Sequence, residues 1–205
     1  MARVDDYIQA RRIAAKELAT RPIEAVASAG GISQVDSRTL EIRFINRLYR
    51  IAWPDCGFED TETAGREVPL QEQVLILHYL LGAGEAELHG QWIAYREIPG
   101  AAFYFSAFVK RAVDPLKKVF GSNIPAFKKA AARLGGVDIG TGDAGFEFSV
   151  FPKVPLRLIL WEGDEDFDPE ANILFDQAAG RILSPEDAAW LGGMLVYRLM
   201  ALARD

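Results

Sequence analysis

Three carboxylates at alternating positions, Asp164, Asp166 and Asp168, stand in the segment Glu162-Gly163-Asp164-Glu165-Asp166-Phe167-Asp168. Such a cluster of oxygens suits a hard divalent cation such as Mg²⁺ or Ca²⁺, with Glu97 or Glu165 as the general base of a metal-assisted reaction. The spacing opens like a calcium loop and then departs from it. Pro169 stands where the sixth position needs glycine, and Phe175 where the twelfth needs a bidentate glutamate. A solvated acidic turn after a buried strand accounts for the same residues without a metal, since charged side chains are ordinarily exposed. Other reactive groups are few. Cys56, His78 and His89 are the only thiol and imidazole groups, and their spacing matches neither a zinc site nor a Cys-His nucleophile pair. His78 falls in an apolar stretch, where a hydrogen-bonded core histidine is expected, and Cys56 in Pro54-Asp55-Cys56-Gly57 reads as a loop thiol.

A binding site is a different kind of candidate. The aromatic set Trp92, Tyr95, Phe103, Tyr104, Phe105 and Phe108 could line a pocket for a flat ligand, because ligand sites are mostly apolar with a few placed polar groups. Within it, Trp92, Tyr95, Arg96, Glu97 and Tyr104 are the expected ligand-binding residues. Strand alternation puts only about half of the set on one surface, and core packing explains such residues equally well. Charge is unevenly spread. Seven basic residues lie between Lys110 and Arg133 against the single acid Asp114, whereas Asp138 to Asp176 holds ten acids against Lys153 and Arg157. The basic run could meet a phosphate-bearing cofactor or an acidic protein; nucleic acid is not expected, because the chain has a net charge of −6 and carries no recognised nucleic-acid motif. Gly140-Thr141-Gly142 lacks the spacing of a phosphate loop.

These residues have to be placed by elements whose signals are clear. The periodicity predicts a helix over about 5–19 and a short one from Pro22 to about Ala29 capped by Gly30-Gly31. A hairpin follows, with Leu40–Phe44 and Leu48–Trp53 as its strands and an arginine-rich outer face. Leu70–Leu81, opened by Pro69, is apolar almost all round and is expected to be the most buried helix. Trp92–Ile98 and Ala102–Phe105 flank the Pro99-Gly100 turn signal and read as a second, aromatic hairpin. Helices are expected from Asp114-Pro115 to Gly121 and over Pro125–Leu134, then strands over Phe146–Phe151, Leu156–Trp161 and Ile173–Phe175. Ser184-Pro185-Glu186-Asp187 starts a last apolar helix, to be buried in its own domain or against a second copy. The class is α+β, an antiparallel or mixed sheet of about six strands packed on several helices, in a single domain over 1–205.

Composition limits the setting. Half of the 205 residues are apolar, enough for a core, and one cysteine allows neither an internal disulfide nor an iron–sulfur cluster. No covalent cofactor is expected. The longest apolar run, Val74–Leu81, is far short of the ~20 residues a bilayer needs, and the N-terminal residues are charged from Arg3 onward, so no membrane association and a cytoplasmic location are expected.

Leu48 to Pro54, the stretch from Pro69 to Gly121, and Pro155 to Leu191 around Leu160-Trp161-Glu162-Gly163-Asp164 and Ile173-Leu174-Phe175-Asp176 together resemble an uncharacterised prokaryotic family, the domain-of-unknown-function family numbered 3786. The resemblance marks no active site. In some anaerobic relatives such a domain stands beside a cysteine-rich iron–sulfur module of the sort found in corrinoid proteins of one-carbon metabolism; this chain has one cysteine, so the resemblance implies that any such link would run through a partner or a bound cofactor. The expected function is therefore a non-catalytic ligand- or cofactor-binding accessory module. The alternatives are a divalent-metal enzyme built on the acidic loop and a protein–protein adaptor, with a small molecule, a protein or a second copy of the chain as partner.

Overall fold

In a computed structural model, residues 4–203 are described. They form two compact units, Met1–Glu87 with Phe151–Lys153, and Leu88–Val150 with Val154–Asp205.

The first unit begins with α1 (Val4–Leu18) and α2 (Ile23–Gly30), which ends at Gly31 in the left-handed conformation that the doubled glycine allows. Four antiparallel strands follow in sequence order: β1 (Ser33–Asp36), β2 (Thr39–Phe44), β3 (Arg47–Ala52) and β4 (Gly57–Asp60). Register places Leu40 opposite Ile51 and Ile42 opposite Tyr49 on the buried face, and Glu41 opposite Arg50 on the outer one, where the two are 3.3 Å apart. Alternation of apolar and polar side chains thus decides which face is covered. Helix α3 (Leu70–Gly82) is buried on nearly every side, with Leu75, Ile76, Leu77 and Tyr79 fully inaccessible. Tyr79 is the hinge of this packing. Its ring stacks on Phe151 with centroids 4.3 Å apart, and its hydroxyl donates to the Gly30 carbonyl at 2.7 Å while accepting from the Lys153 amide at 3.2 Å.

The second unit has a five-stranded sheet in the order β5-β9-β8-β7-β6, from β5 (Trp92–Ala94), β6 (Val137–Asp138), β7 (Ala144–Phe151), β8 (Val154–Trp161) and β9 (Glu170–Asp176). Its helices are α4 (Phe105–Phe108), α5 (Asp114–Phe120), α6 (Ile124–Arg133), α7 (Ala179–Ile182) and α8 (Pro185–Leu202). Between α4 and α5 the chain widens into a π-helical segment, Val109–Val113. Pro115 explains it: proline has no N–H for the carbonyl four residues back and its ring crowds that carbonyl, which the wider turn relieves. Helix α8 starts as expected, with the Ser184 hydroxyl accepting from the Asp187 amide at 3.1 Å. It is buried within this unit, where Gly192 and Gly193 let it approach Phe108 and Arg111 closely: a Cβ on either would come within 3.1–3.3 Å of them.

The α+β class holds, with nine strands in two sheets among the described residues where about six in one were expected. The aromatic hairpin does not form. Only Trp92–Ala94 is extended, and 3₁₀ turns follow at Tyr95–Glu97 and Ala101–Phe103. The Glu97 carboxylate accepts from the Ala94 amide at 2.6 Å, a local side-chain bond that closes the turn in competition with strand pairing. Among the described residues no helix is long and apolar enough to cross a membrane.

Tyr79→Phe keeps the ring stack and removes only the hydroxyl, leaving a buried carbonyl without its donor. Urea unfolding is expected to show a loss of about 1–3 kcal/mol with an unchanged m-value.

Candidate functional site

The second unit contains a cleft whose walls are set by one buried carboxylate. Strand β9 ends at Asp176, whose side chain is 1% exposed. Its Oδ1 accepts from the amides of His89 (3.1 Å) and Ala178 (2.9 Å), and its Oδ2 from the amide of Gly90 (2.7 Å). A buried anion is tolerated when main-chain dipoles satisfy it in this way. Gly90 adopts a positive φ of 69°, which turns consecutive N–H groups toward the same carboxylate. The Gln177 amide then donates to the Gln91 carbonyl at 2.8 Å, holding the start of the β9–α7 connection against the 89–91 loop. On the facing side, the Tyr95–Glu97 turn leads to Ile98 and Pro99, which pass Gly180 so closely that a Cβ there would lie 3.2 Å and 3.3 Å from them.

These segments enclose a cleft of about 430 Å³. Ile93, Pro99 and Gly180 supply its apolar lining, and His89, Glu97, Gln177 and Arg181 its polar lining. All four polar residues are exposed to solvent. The side chains of His89, Gln177 and Arg181 make no hydrogen bond or ion pair with another described residue, and Glu97 keeps one carboxylate oxygen beyond its bond to Ala94. The cleft thus presents a cation, an anion, an imidazole and an amide on a framework fixed by other groups.

Of the expected ligand-binding residues, Glu97 alone borders this cleft. Trp92 lies beneath the Arg157 guanidinium, 3.9 Å from the ring centroid, and Arg157 is also paired with Glu147 at 2.9 Å. Tyr95 is buried, stacked on Phe108 with centroids 4.1 Å apart, and donates its hydroxyl to the Pro185 carbonyl at 2.7 Å; burial pushes its pKa up to about 12. Arg96 covers the Phe105 ring at 3.7 Å, and Tyr104 is half-buried, edge-on to the exposed Phe103. Asp164, Asp166 and Asp168 stay in one exposed loop, where Asp164 Oδ1 accepts from the amides of Asp166 and Phe167, each at 2.8 Å. The loop is anchored to the end of α5 by the Gly163 amide, which donates to the Gly121 carbonyl at 3.0 Å. Among the described residues no three His, Cys, Asp or Glu side chains gather so as to hold a metal ion. Sequence reasoning passed over Gln177 and Arg181 because α7 is a single short turn, and saw in His89 only an imidazole without a motif.

Cys56 belongs to the first unit and is fully buried. Its thiol lies 3.5 Å from the Pro54 carbonyl, and desolvation pushes its pKa up to about 11, against the smaller opposing effect of the Arg11 guanidinium. Arg11 itself is held by the Cys56 carbonyl and by Gln73, both at 2.6 Å. A neutral, inaccessible thiol is a poor nucleophile.

Two outcomes follow from these environments. Asp176→Asn replaces the acceptor of three amides with a weaker, part-donor group; it is expected to destabilise the protein by about 2–4 kcal/mol, with faster hydrogen exchange at His89, Gly90 and Ala178. Cys56 is expected to resist a disulfide reagent at pH 8 until the chain is unfolded. Because its folded pKa is raised from 9.0 to about 11, the stability it contributes is complete below pH 9 and is lost as pH rises through about 11, which denaturation at a series of alkaline pH values checks.

No curated protein and no solved structure matches the chain. One family model does, over residues 22–198, a span that includes every residue of the cleft. With most of its length so matched, the chain belongs to the family described as Domain of unknown function (DUF3786).

Proposed function

We propose that this protein is a non-catalytic accessory module of the cytoplasm that binds a small molecule in the cleft of its second unit. The observation that carries this reading is the contrast between framework and lining. Asp176 and Tyr95 are used up in holding main chain, whereas the His89, Gln177 and Arg181 side chains have no hydrogen-bond or ion-pair partner among the described residues around one concavity. Polar groups that converge on a concave, partly apolar surface are the usual signature of a ligand site. The Cys56 thiol and the Tyr79 and Tyr95 hydroxyls are buried and bonded within the framework, which removes these three groups as nucleophiles. A cleft of about 430 Å³ could admit only a peripheral part of a corrinoid, so any role in anaerobic corrinoid or iron–sulfur metabolism would be exercised on a small metabolite or through a partner.

A thermal-shift screen against small water-soluble metabolites tests the proposal. Compounds that raise the unfolding temperature are expected to bind at least about tenfold more weakly to His89→Ala and to Arg181→Ala. Both side chains are exposed and unpartnered, so the unliganded variants should unfold within about 0.5 kcal/mol of the parent. Hits that bind the variants as well as the parent, or a screen without hits, would overturn the reading.

A further inference from the structure

We infer that the ligand of this cleft is a small zwitterion carrying a carboxylate and a protonated amine, a free amino acid or a short peptide; this rests on the cleft being the binding site. The argument starts from the contact between Gly180 and Ile98-Pro99. A Cβ on Gly180 would be 3.2 Å from Ile98 Cγ2 and 3.3 Å from Pro99 Cδ, so the two walls touch at this point. Arg181 and Glu97 are the residues next to Gly180 and Ile98 respectively, and both line the cleft. A cation and an anion thus line one concavity, carried by two segments that touch. They nevertheless form no ion pair, and each keeps unused hydrogen-bonding capacity, Arg181 throughout its guanidinium and Glu97 at one oxygen.

Charge then selects among ligand classes. A simple anion drawn to Arg181 meets the Glu97 carboxylate, and a simple cation drawn to Glu97 meets the guanidinium, so each loses on one wall what it gains on the other. A zwitterion satisfies both at once. Its carboxylate suits the planar donor fork of Arg181, with the Gln177 amide and His89 imidazole as further donors, and its ammonium suits the free oxygen of Glu97. Ile93 and Pro99 offer apolar surface to the remainder of the molecule.

The test is heteronuclear NMR titration of the intact chain with L-methionine, L-glutamine and the dipeptide Gly-Leu, beside N-acetyl-L-methionine and L-methionine methyl ester. The zwitterions are expected to shift the backbone amide signals of His89, Gln177 and Arg181, and the blocked forms to bind at least tenfold more weakly. Glu97→Gln, which retains an oxygen for the Ala94 amide, is expected to narrow the gap to the N-acetyl compound alone, and Arg181→Gln the gap to the ester alone. Blocked forms that bind as well as the zwitterions, or a cleft that responds to other metabolites and to none of these probes, would overturn the ligand class and leave the cleft as the binding site. A cleft whose amides respond to no small molecule at all would overturn both.

Discussion

A carboxylate buried at the end of a strand cannot be left without donors, and in this protein the donors of Asp176 are backbone amides of two separate segments. The cost of burying that charge is offset only while His89, Gly90 and Ala178 hold their positions, so one side chain dictates the path of the loop before β5 and the start of α7. Other deep polar groups follow the same logic within their own units. Tyr79 ties α3 to Gly30 and Lys153, Tyr95 ties a 3₁₀ turn to the first residue of α8, and the buried Asp60 accepts from the amides of Glu62 and Thr63. Among the described residues no buried side-chain nitrogen or oxygen lacks a partner. Polar groups in the interior therefore hold main chain, locally at Asp60 and across many residues at Tyr79, Tyr95 and Asp176, a use that sets their geometry.

Close packing imposes the other constraint. Gly180 against Ile98-Pro99, Gly192 against Phe108 and Gly193 against Arg111 of the π-helical segment, and Gly121 against Pro169 are places where a single methyl group would meet atoms at 2.5–3.3 Å. At Gly180 and Gly193, a segment without regular structure or with an irregular helix lies flush against a helix, and at Gly121 the turn that ends α5 meets the residue before β9. The π-helical segment illustrates how such irregularity propagates: Pro115 forbids one hydrogen bond, the turn widens by one residue, and the partner helix accommodates the result by lacking side chains where it passes.

What the sequence made legible follows from which signals are local. Strong periodicity identified α3, α6 and the pairs β2–β3 and β7–β8, and the Ser184 cap identified the start of α8, because alternation, apolar period and capping residues act within a few positions of one another. Strands β1, β4 and β6 were illegible. They have four, four and two residues, mostly exposed, and exist through pairing with a neighbour and not through any pattern of their own. The aromatic stretch misled for a related reason: Trp92–Ile98 and Ala102–Phe105 carry aromatic residues at spacings a hairpin would accept, whereas the stack of Tyr95 on Phe108 and the Glu97–Ala94 bond go with turns. Glu97 was therefore found for its residue type, while Gln177 and Arg181 sit beside and within a one-turn helix that has no periodicity of its own, and the bonds that Asp176 accepts from His89 and Gly90, which bring the 89–91 loop to them, span 86 residues or more.

The dielectric setting of the cleft bears on what it can do. His89, Glu97, Gln177 and Arg181 are all open to water, so each charged contact they form is screened and contributes on the order of 1 kcal/mol or less. Electrostatic catalysis draws its strength from the opposite arrangement, oriented dipoles in a water-excluded site. Here the oriented dipoles are the amides around Asp176, and they are already occupied by the protein's own carboxylate. A ligand of the proposed kind would meet exposed side chains on a hydrogen-bonded framework, and its selectivity would come from satisfying several weak contacts together. Under the proposed reading, the carboxylate that fixes the main chain around the cleft also occupies the amides that would otherwise be its strongest oriented dipoles.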